Sequence, residues 1–171
     1  MLRTIARKKV RVSNSHFAIV ASRYNARYVD AMLLAAKRSL VQGGAARIQV
    51  VRVPGAFEIP VVAARLARAH PDLSAIICLG VILRGETTHA QHIGEAVSEA
   101  LMQIQIQREI PVVHEVLLLE NEAQAKTRCL SKRHNRGTEA AQTALAMAAA
   151  MLRLAPTHSP VNKEPRPPSE R

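Results

Sequence analysis

The feature that most restricts the fold is an alternation. Four short apolar runs, Phe17 to Ser22, Ile48 to Val53, Ala75 to Leu83 and Val112 to Leu119, are separated by longer stretches of helical period. Short runs spaced in this way are strands joined by crossover helices, the arrangement that a parallel sheet requires. The first long stretch, Ala26 to Gln42, sets Val29, Leu33, Leu34, Lys37 and Leu40 at helical spacing and stops at Gly43-Gly44, a C-terminal helix signal. Further helices are expected over Ile59 to His70, Thr88 to Glu109, Asn121 to Leu130 and from about Thr138 to Leu154. The expected class is therefore α/β, with a four-stranded parallel sheet. At 171 residues and 48% apolar content, the chain can bury one good core and is too short for two ordinary domains. No internal repeat interrupts the pattern.

Charge and composition divide the chain into three parts. Residues 1–15 form a basic arm with Arg3, Arg7, Lys8, Lys9 and Arg11, and no acid occurs before Asp30. Such a segment is either a solvated arm or an Arg-rich, acid-poor transit peptide. Residues 16–154 carry the α/β pattern. Residues 155–171 contain Pro156, Pro160, Pro165, Pro167 and Pro168 with few apolar side chains, and disorder is expected there.

The net charge of +11 by itself suggests a polyanion partner. Sequence-tolerant binding of RNA or single strands relies on exposed aromatics, and the chain has only Phe17, Tyr24, Tyr28 and Phe57. Nucleic acid is therefore not the expected partner. No apolar run approaches the roughly 20 residues that cross a bilayer, and no secretory signal pattern is present. A soluble protein is expected. The two cysteines, Cys78 and Cys129, suit free thiols in a reducing cytoplasm better than a disulfide framework.

In a parallel sheet, ligands bind beyond the carboxyl ends of the strands. Three unusual clusters fall there: Ser22-Arg23-Tyr24-Asn25, Val53 to Glu58, and Gly80 to His89. Each follows a strand and precedes a helix, so the three can meet at one pocket rim. A fourth, His114-Glu115, lies inside the last strand. Gly85-Glu86-Thr87-Thr88 opens a helix with free N–H groups, two hydroxyls and the positive end of the helix dipole, which together suit a phosphate, although a Thr-rich helix start is more often a simple cap. Without a Walker lysine or a GxGxxG pattern, neither a nucleoside triphosphate nor a dinucleotide is indicated. His89 in the first turn is either a proton shuttle or a surface residue. His89, His92 and His114 lack the cysteine or carboxylate that would complete a metal set, so no metal is expected. Tyr24 can stack on a flat heterocycle or pack under its loop. Glu58 can accept from sugar hydroxyls or favour a helix dipole.

Five blocks, Ala21 to Asn25, Val-Pro-Gly-Ala-Phe-Glu-Ile-Pro at 53–60, Gly-Val-Ile-Leu-Arg-Gly-Glu-Thr-Thr-His at 80–89, Gln-Ala-Lys-Thr-Arg at 124–128 and Asn-Arg-Gly-Thr-Glu-Ala-Ala at 135–141, together resemble the lumazine synthase family over residues 16–154. The resemblance implies a flavodoxin-like three-layer sandwich. It also implies condensation of 5-amino-6-(D-ribitylamino)uracil with 3,4-dihydroxy-2-butanone 4-phosphate to 6,7-dimethyl-8-ribityllumazine, the penultimate step of riboflavin biosynthesis, without a cofactor. By the same resemblance, Tyr24 is the platform for the pyrimidine ring, and Ala56, Phe57 and Glu58 hold the ribityl chain. Val81 and Ile82 line the pyrimidine pocket with backbone groups, Gly85, Glu86 and Thr87 cradle the phosphate, and His89 moves protons. His114 and Arg128 come from a neighbouring subunit, and Arg136 and Glu139 match a basic and an acidic position of the substrate site.

Some positions depart from the family pattern. Ala90 and Gln91 replace the usual aromatic and acid after the histidine, His114 replaces an aromatic, Glu115 a glycine, Leu118-Leu119 a Thr-Thr pair, and Arg136 a lysine. These departures leave one alternative, a weakly catalytic flavin- or lumazine-binding shell protein. The resemblance further implies a homo-oligomer, either a pentamer or a sixty-subunit shell of pentamers, with riboflavin synthase as a candidate partner. The short segment from Arg128 to Gly137 is compatible with both assemblies.

Overall fold

A computed structural model describes residues 10–154. The Pro-rich tail at 155–171 and most of the basic arm at 1–15 lie outside the described residues. Four strands, β1 (Ser15–Ser22), β2 (Ala45–Val53), β3 (Leu73–Leu83) and β4 (Val112–Leu119), pair in the order β2-β1-β3-β4. Every pairing is parallel. This is the flavodoxin-like order of a doubly wound sheet, and the chain reverses its direction of travel between β1 and β3.

Helices α1 (Ala26–Gln42) and α5 (Arg136–Leu154) cover one face. Phe17, Ile19 and Ala21 of β1, with Ala75, Ile77 and Leu79 of β3, point into that layer and meet Met32, Leu40, Ala144 and Leu145. Helices α2 (Ile59–Ala69) and α3 (His89–Arg108) cover the other face. There Ala18, Val20, Ile76 and Cys78 meet Ile59, Ala63, Val97 and Leu101. The strict alternation along β1, with every residue from Ser15 to Ser22 buried, explains why its sequence is a continuous apolar run rather than a polar-apolar repeat. Helices α1 and α5 approach each other closely at Gly137, where an added Cβ would lie 2.0 Å from the Met32 carbonyl oxygen. Glycine is therefore required at the first turn of α5.

The elements extend beyond the apolar runs where the chain allows it. Strand β2 starts at Ala45 rather than Ile48, because Gly44 at φ 90 turns the chain directly from α1 into the strand. Upstream of β1, Val12 is buried and donates to the Gly43 carbonyl at 2.9 Å, and the Ser15 hydroxyl donates to the Val12 carbonyl. The ordered chain thus reaches back into the segment read as an arm. Helix α5 begins at Arg136, ahead of Thr138, because Asn135 accepts the Gly137 N–H at 2.9 Å and starts the turn early. The helix expected over Asn121 to Leu130 requires correction. It consists of one α turn, α4 (Glu122–Ala125), capped by Asn121, followed by a wide π turn, Lys126–Leu130. The π turn buries Cys129, and the Asn135 side-chain amide donates to the Cys129 carbonyl, tying the turn to the start of α5.

Candidate active site

The carboxyl ends of β1, β2 and β3 are tied together by short hydrogen bonds that involve the backbone. Beyond β1, the Arg23 N–H donates to the Val53 carbonyl at 2.8 Å and the Tyr24 N–H to the Pro54 carbonyl at 3.0 Å. Asn25 caps α1 in the left-handed region at φ 57, and its amide donates to the Val81 carbonyl at 2.8 Å. Asparagine tolerates this conformation and supplies a donor that reaches across to β3. In the loop after β2, the Glu58 carboxylate turns back to accept the Gly55 N–H at 2.8 Å. The Tyr24 ring lies against Gly55, since a Cβ there would come within 3.0 Å of the Tyr24 Cδ2 and the Glu58 Oε2. The first two loops thus set the position of the aromatic ring.

These contacts frame a cleft of about 640 Å³ at the point where the strand order reverses. Its walls come from Tyr24 and Asn25 after β1, Gly55 to Glu58 after β2, Val81 to Leu83 at the end of β3, and His89, His92, Ile93 and Ala96 along α3. Tyr24 and Phe57 are 69% and 61% exposed, so two aromatic rings stand at the mouth with faces open to a ligand. The lining is mostly apolar, with the Glu58 carboxylate, the Tyr24 phenol and the His89 and His92 imidazoles as its titratable groups. Such a surface suits a flat heterocycle with a polar substituent.

Of the residues singled out in the sequence, the cleft therefore brings together Tyr24, Ala56, Phe57, Glu58, Val81, Ile82 and His89. Gly85, Glu86 and Thr87 are exposed just outside its lining, on the loop that leads into α3. The Thr88 side chain does not cap the start of α3, where the His92 N–H donates to the Thr88 carbonyl at 3.1 Å and the His89 N–H meets the Thr87 hydroxyl only at 3.4 Å. The latter contact is long, so the N–H groups of the first turn remain largely available. His92, Ile93 and Ala96 were not singled out as cleft residues. Their spacing from His89 on α3, at three, four and seven residues, places them on the same helical face and is the signal that could have found them.

The other four residues lie elsewhere. His114, on the α3 side of β4, pairs through Nε2 with the Ser98 hydroxyl at 2.9 Å. Partial burial of its imidazole pushes its pKa below the ordinary histidine value. Arg128, Arg136 and Glu139 gather on the opposite side of β4, around Glu115. Arg136 Nε donates to Glu115 at 3.0 Å, and Nη1 donates to Glu139 at 2.6 Å. Burial pushes the Glu115 carboxyl above the usual range, against the opposing pull of Arg136 and Arg128. The histidines considered for a metal site are separated, with His89 and His92 in the cleft and His114 on Ser98. Among the described residues no group of three or more His, Cys, Asp or Glu side chains is placed to hold a metal ion. No helix among them is long and apolar enough to cross a membrane.

Comparison with known proteins agrees with this geometry. The family model described as 6,7-dimethyl-8-ribityllumazine synthase matches residues 14–152. A 6,7-dimethyl-8-ribityllumazine synthase of Stenotrophomonas maltophilia (strain R551-3) is 43% identical over 136 residues, covering 78% of this chain and 87% of the relative. One from Xanthomonas euvesicatoria pv. vesicatoria (strain 85-10) is 41% identical over 138 residues, covering 80% and 89%. With the match spanning all four strands and the cleft they support, the chain belongs to the 6,7-dimethyl-8-ribityllumazine synthase family.

Proposed function

We infer that this chain condenses 5-amino-6-(D-ribitylamino)uracil with 3,4-dihydroxy-2-butanone 4-phosphate to give 6,7-dimethyl-8-ribityllumazine in riboflavin biosynthesis, and that the cleft between β1 and β3 is where it does so. The observation that carries this reading is the cleft of a family member with an open aromatic ring, Tyr24, on one wall and an imidazole, His89, on another. Tyr24 stacks on the pyrimidine. The backbone of Ala56 and Phe57 and the second oxygen of Glu58 take the ribityl hydroxyls, while Oε2 stays on Gly55. Val81 and Ile82 face the pyrimidine edge, with the Val81 carbonyl already accepting one bond from Asn25. Gly85, Glu86 and Thr87 cradle the phosphate at the start of α3, aided by the helix dipole.

In the reaction the pyrimidine amine adds to the butanone carbonyl and water leaves to give an imine. Elimination then expels inorganic phosphate, and the second amine closes on the remaining carbonyl with loss of another water. Every step relocates protons and none transfers electrons to or from a cofactor. Holding both substrates in contact supplies much of the rate, and one placed imidazole adds on the order of 10² to 10⁴. His114, Arg128, Arg136 and Glu139 face away from this cleft in their own chain and serve the cleft of a neighbour in a ring-shaped oligomer, either a lone pentamer or a shell of pentamers. We assign the reaction to the cytoplasm, consistent with two buried free thiols. The rival reading, a weakly catalytic flavin- or lumazine-binding shell, rests on the departures at Ala90, Gln91 and His114 alone, and the family match does not favour it. Mixing the purified protein with both substrates and following the absorbance and fluorescence of the lumazine tests the assignment. Tight binding of the pyrimidine with no product would overturn it.

A further inference from the structure

Helix α3 sends two imidazoles into the cleft, and His89 accounts for only one of them. His89 and His92 both line it. Three residues apart on one helical face, their Cβ atoms stand about 5 to 6 Å from each other, and His92 lies about 4.5 Å farther along the axis from the helix start. The two residues between them turn elsewhere. Ala90 is buried in the layer between the sheet and α2 and α3, and the Gln91 amide donates to Glu95 at 2.8 Å, beside a separate hollow lined by Arg84 and Val116. Neither side chain can exchange protons with His89 inside the cleft. The other titratable groups near His92 come from different places. Tyr24 and Glu58 stand on the loops after β1 and β2, with Glu58 Oε2 held by the Gly55 N–H. Glu86 is exposed on the loop before α3, and Glu95, one turn on, is taken by Gln91.

The order of groups along α3 matches the order of atoms along the four-carbon substrate. With its phosphate at Gly85 to Thr87, the carbon that bears the phosphate comes first, the carbon that loses a proton second and the carbonyl carbon third. His89, in the first turn, then stands by the elimination, and His92, one turn farther, by the carbonyl. We propose that His92 is a second catalytic residue, the acid that releases water as the imine forms. This rests on the reading that the cleft condenses the two substrates with the phosphate at the start of α3. The pyrimidine amine forms a C–N bond to the carbonyl carbon, and one amine proton passes to the carbonyl oxygen to give a hydroxyl. The C–O bond breaks as the His92 imidazolium gives its proton to that hydroxyl, which leaves as water. The nitrogen lone pair closes the C=N bond, and the remaining amine proton returns to the His92 imidazole and restores the imidazolium. A single imidazole would have to serve as this acid and, a step later, as base at the neighbouring carbon. Two on successive turns divide the work.

Steady-state kinetics on the assembled enzyme, with each substrate varied in turn and pH scanned, test this. His92 is exposed on the cleft face of α3, so His92→Gln should fold and assemble as the parent does, checked by mass. It should lower kcat by about tenfold to a hundredfold and leave both KM values nearly unchanged. In the parent, kcat should fall on the alkaline side as the imidazolium is lost, and His92→Gln should lack that fall because water then supplies the proton at every pH. His89→Ala should keep it. A His92→Gln kcat within about twofold of the parent overturns the proposal, as does a lowered kcat that keeps the parental alkaline profile. A rise in either KM larger than the loss in kcat would make His92 a binding contact and overturn it too. If the parent itself makes no lumazine, the assigned reaction is wrong and the proposal falls with it, whereas an active parent with a silent His92→Gln sinks this inference alone.

Discussion

At the carboxyl ends of β1, β2 and β3, loops are tied by hydrogen bonds in which the backbone takes part, from Tyr24 to Pro54, Asn25 to Val81 and Glu58 to Gly55. On β4 the charged cluster is held by side chains alone, with Arg136 between Glu115 and Glu139. The first arrangement encloses a cleft within one chain. The second presents charge on a sheet edge and encloses nothing there. The ties from Tyr24 to Pro54 and from Asn25 to Val81 carry no titratable group, whereas a cluster of ion pairs around a buried carboxylate responds to protonation and to loss of any one member. Under the proposed function, the cleft sets where the pyrimidine lies and the edge completes a site belonging to another subunit.

The largest expected effect breaks the cleft's chemistry without touching its frame. His89→Ala should lower kcat by about ten- to a thousandfold and leave both KM values nearly unchanged, because the loop ties that position the substrates do not involve its imidazole. An unchanged kcat in steady-state kinetics would move the proton work to another group, with Ala90 and Gln91 offering no partner to His89 as the reason.

A second experiment asks whether the two regions act in different subunits. Co-assembling His89→Ala with Arg128→Ala chains in equal amounts should restore about a quarter of parental activity, since about a quarter of heterologous interfaces then pair an intact His89 with an intact neighbouring Arg128. Activity no higher than the mean of the two homogeneous variants, in assemblies shown by mass to be mixed, would mean that both residues serve one chain's site.

The smallest effect concerns the pH response of the edge. His114 has its pKa lowered from 6.5, first by burial, so its neutral form is favoured in the folded chain. Its contribution to stability is complete above the unfolded value and is lost as pH falls through the folded one. Thermal midpoints should therefore drop on acidification below pH 6.5 more in the parent than in His114→Phe. Parallel curves for the two proteins would show that Ser98 holds the imidazole equally well in both protonation states.

Much of the cleft was legible in the sequence because its parts are local. A strand, a short loop and a helix start occur three times, and the rule that ligands sit beyond parallel strand ends brings Tyr24, Glu58 and His89 to one rim. The role of Glu58 in holding its own loop was not legible, since a glutamate before a helix reads equally as a dipole partner or a ligand. The π turn at Lys126–Leu130 was hidden because its residues have ordinary helical propensity. What widens the turn is its setting, with Cys129 buried and its carbonyl held by Asn135.

By itself the sequence determined the class of fold, the strand and helix sequence to within a few residues, and the three loops that form the cleft, because hydrophobic period and turn chemistry are written locally. Tertiary structure alone decided which charges meet. Glu115 and Arg136 are 21 residues apart in the chain, on a strand and on the helix that crosses behind it, and no local pattern links them. Only the packing of α5 over β4 brings the guanidinium to a buried carboxylate, and burial, which a sequence position does not carry, is what raises that carboxyl against the pull of its arginine partner.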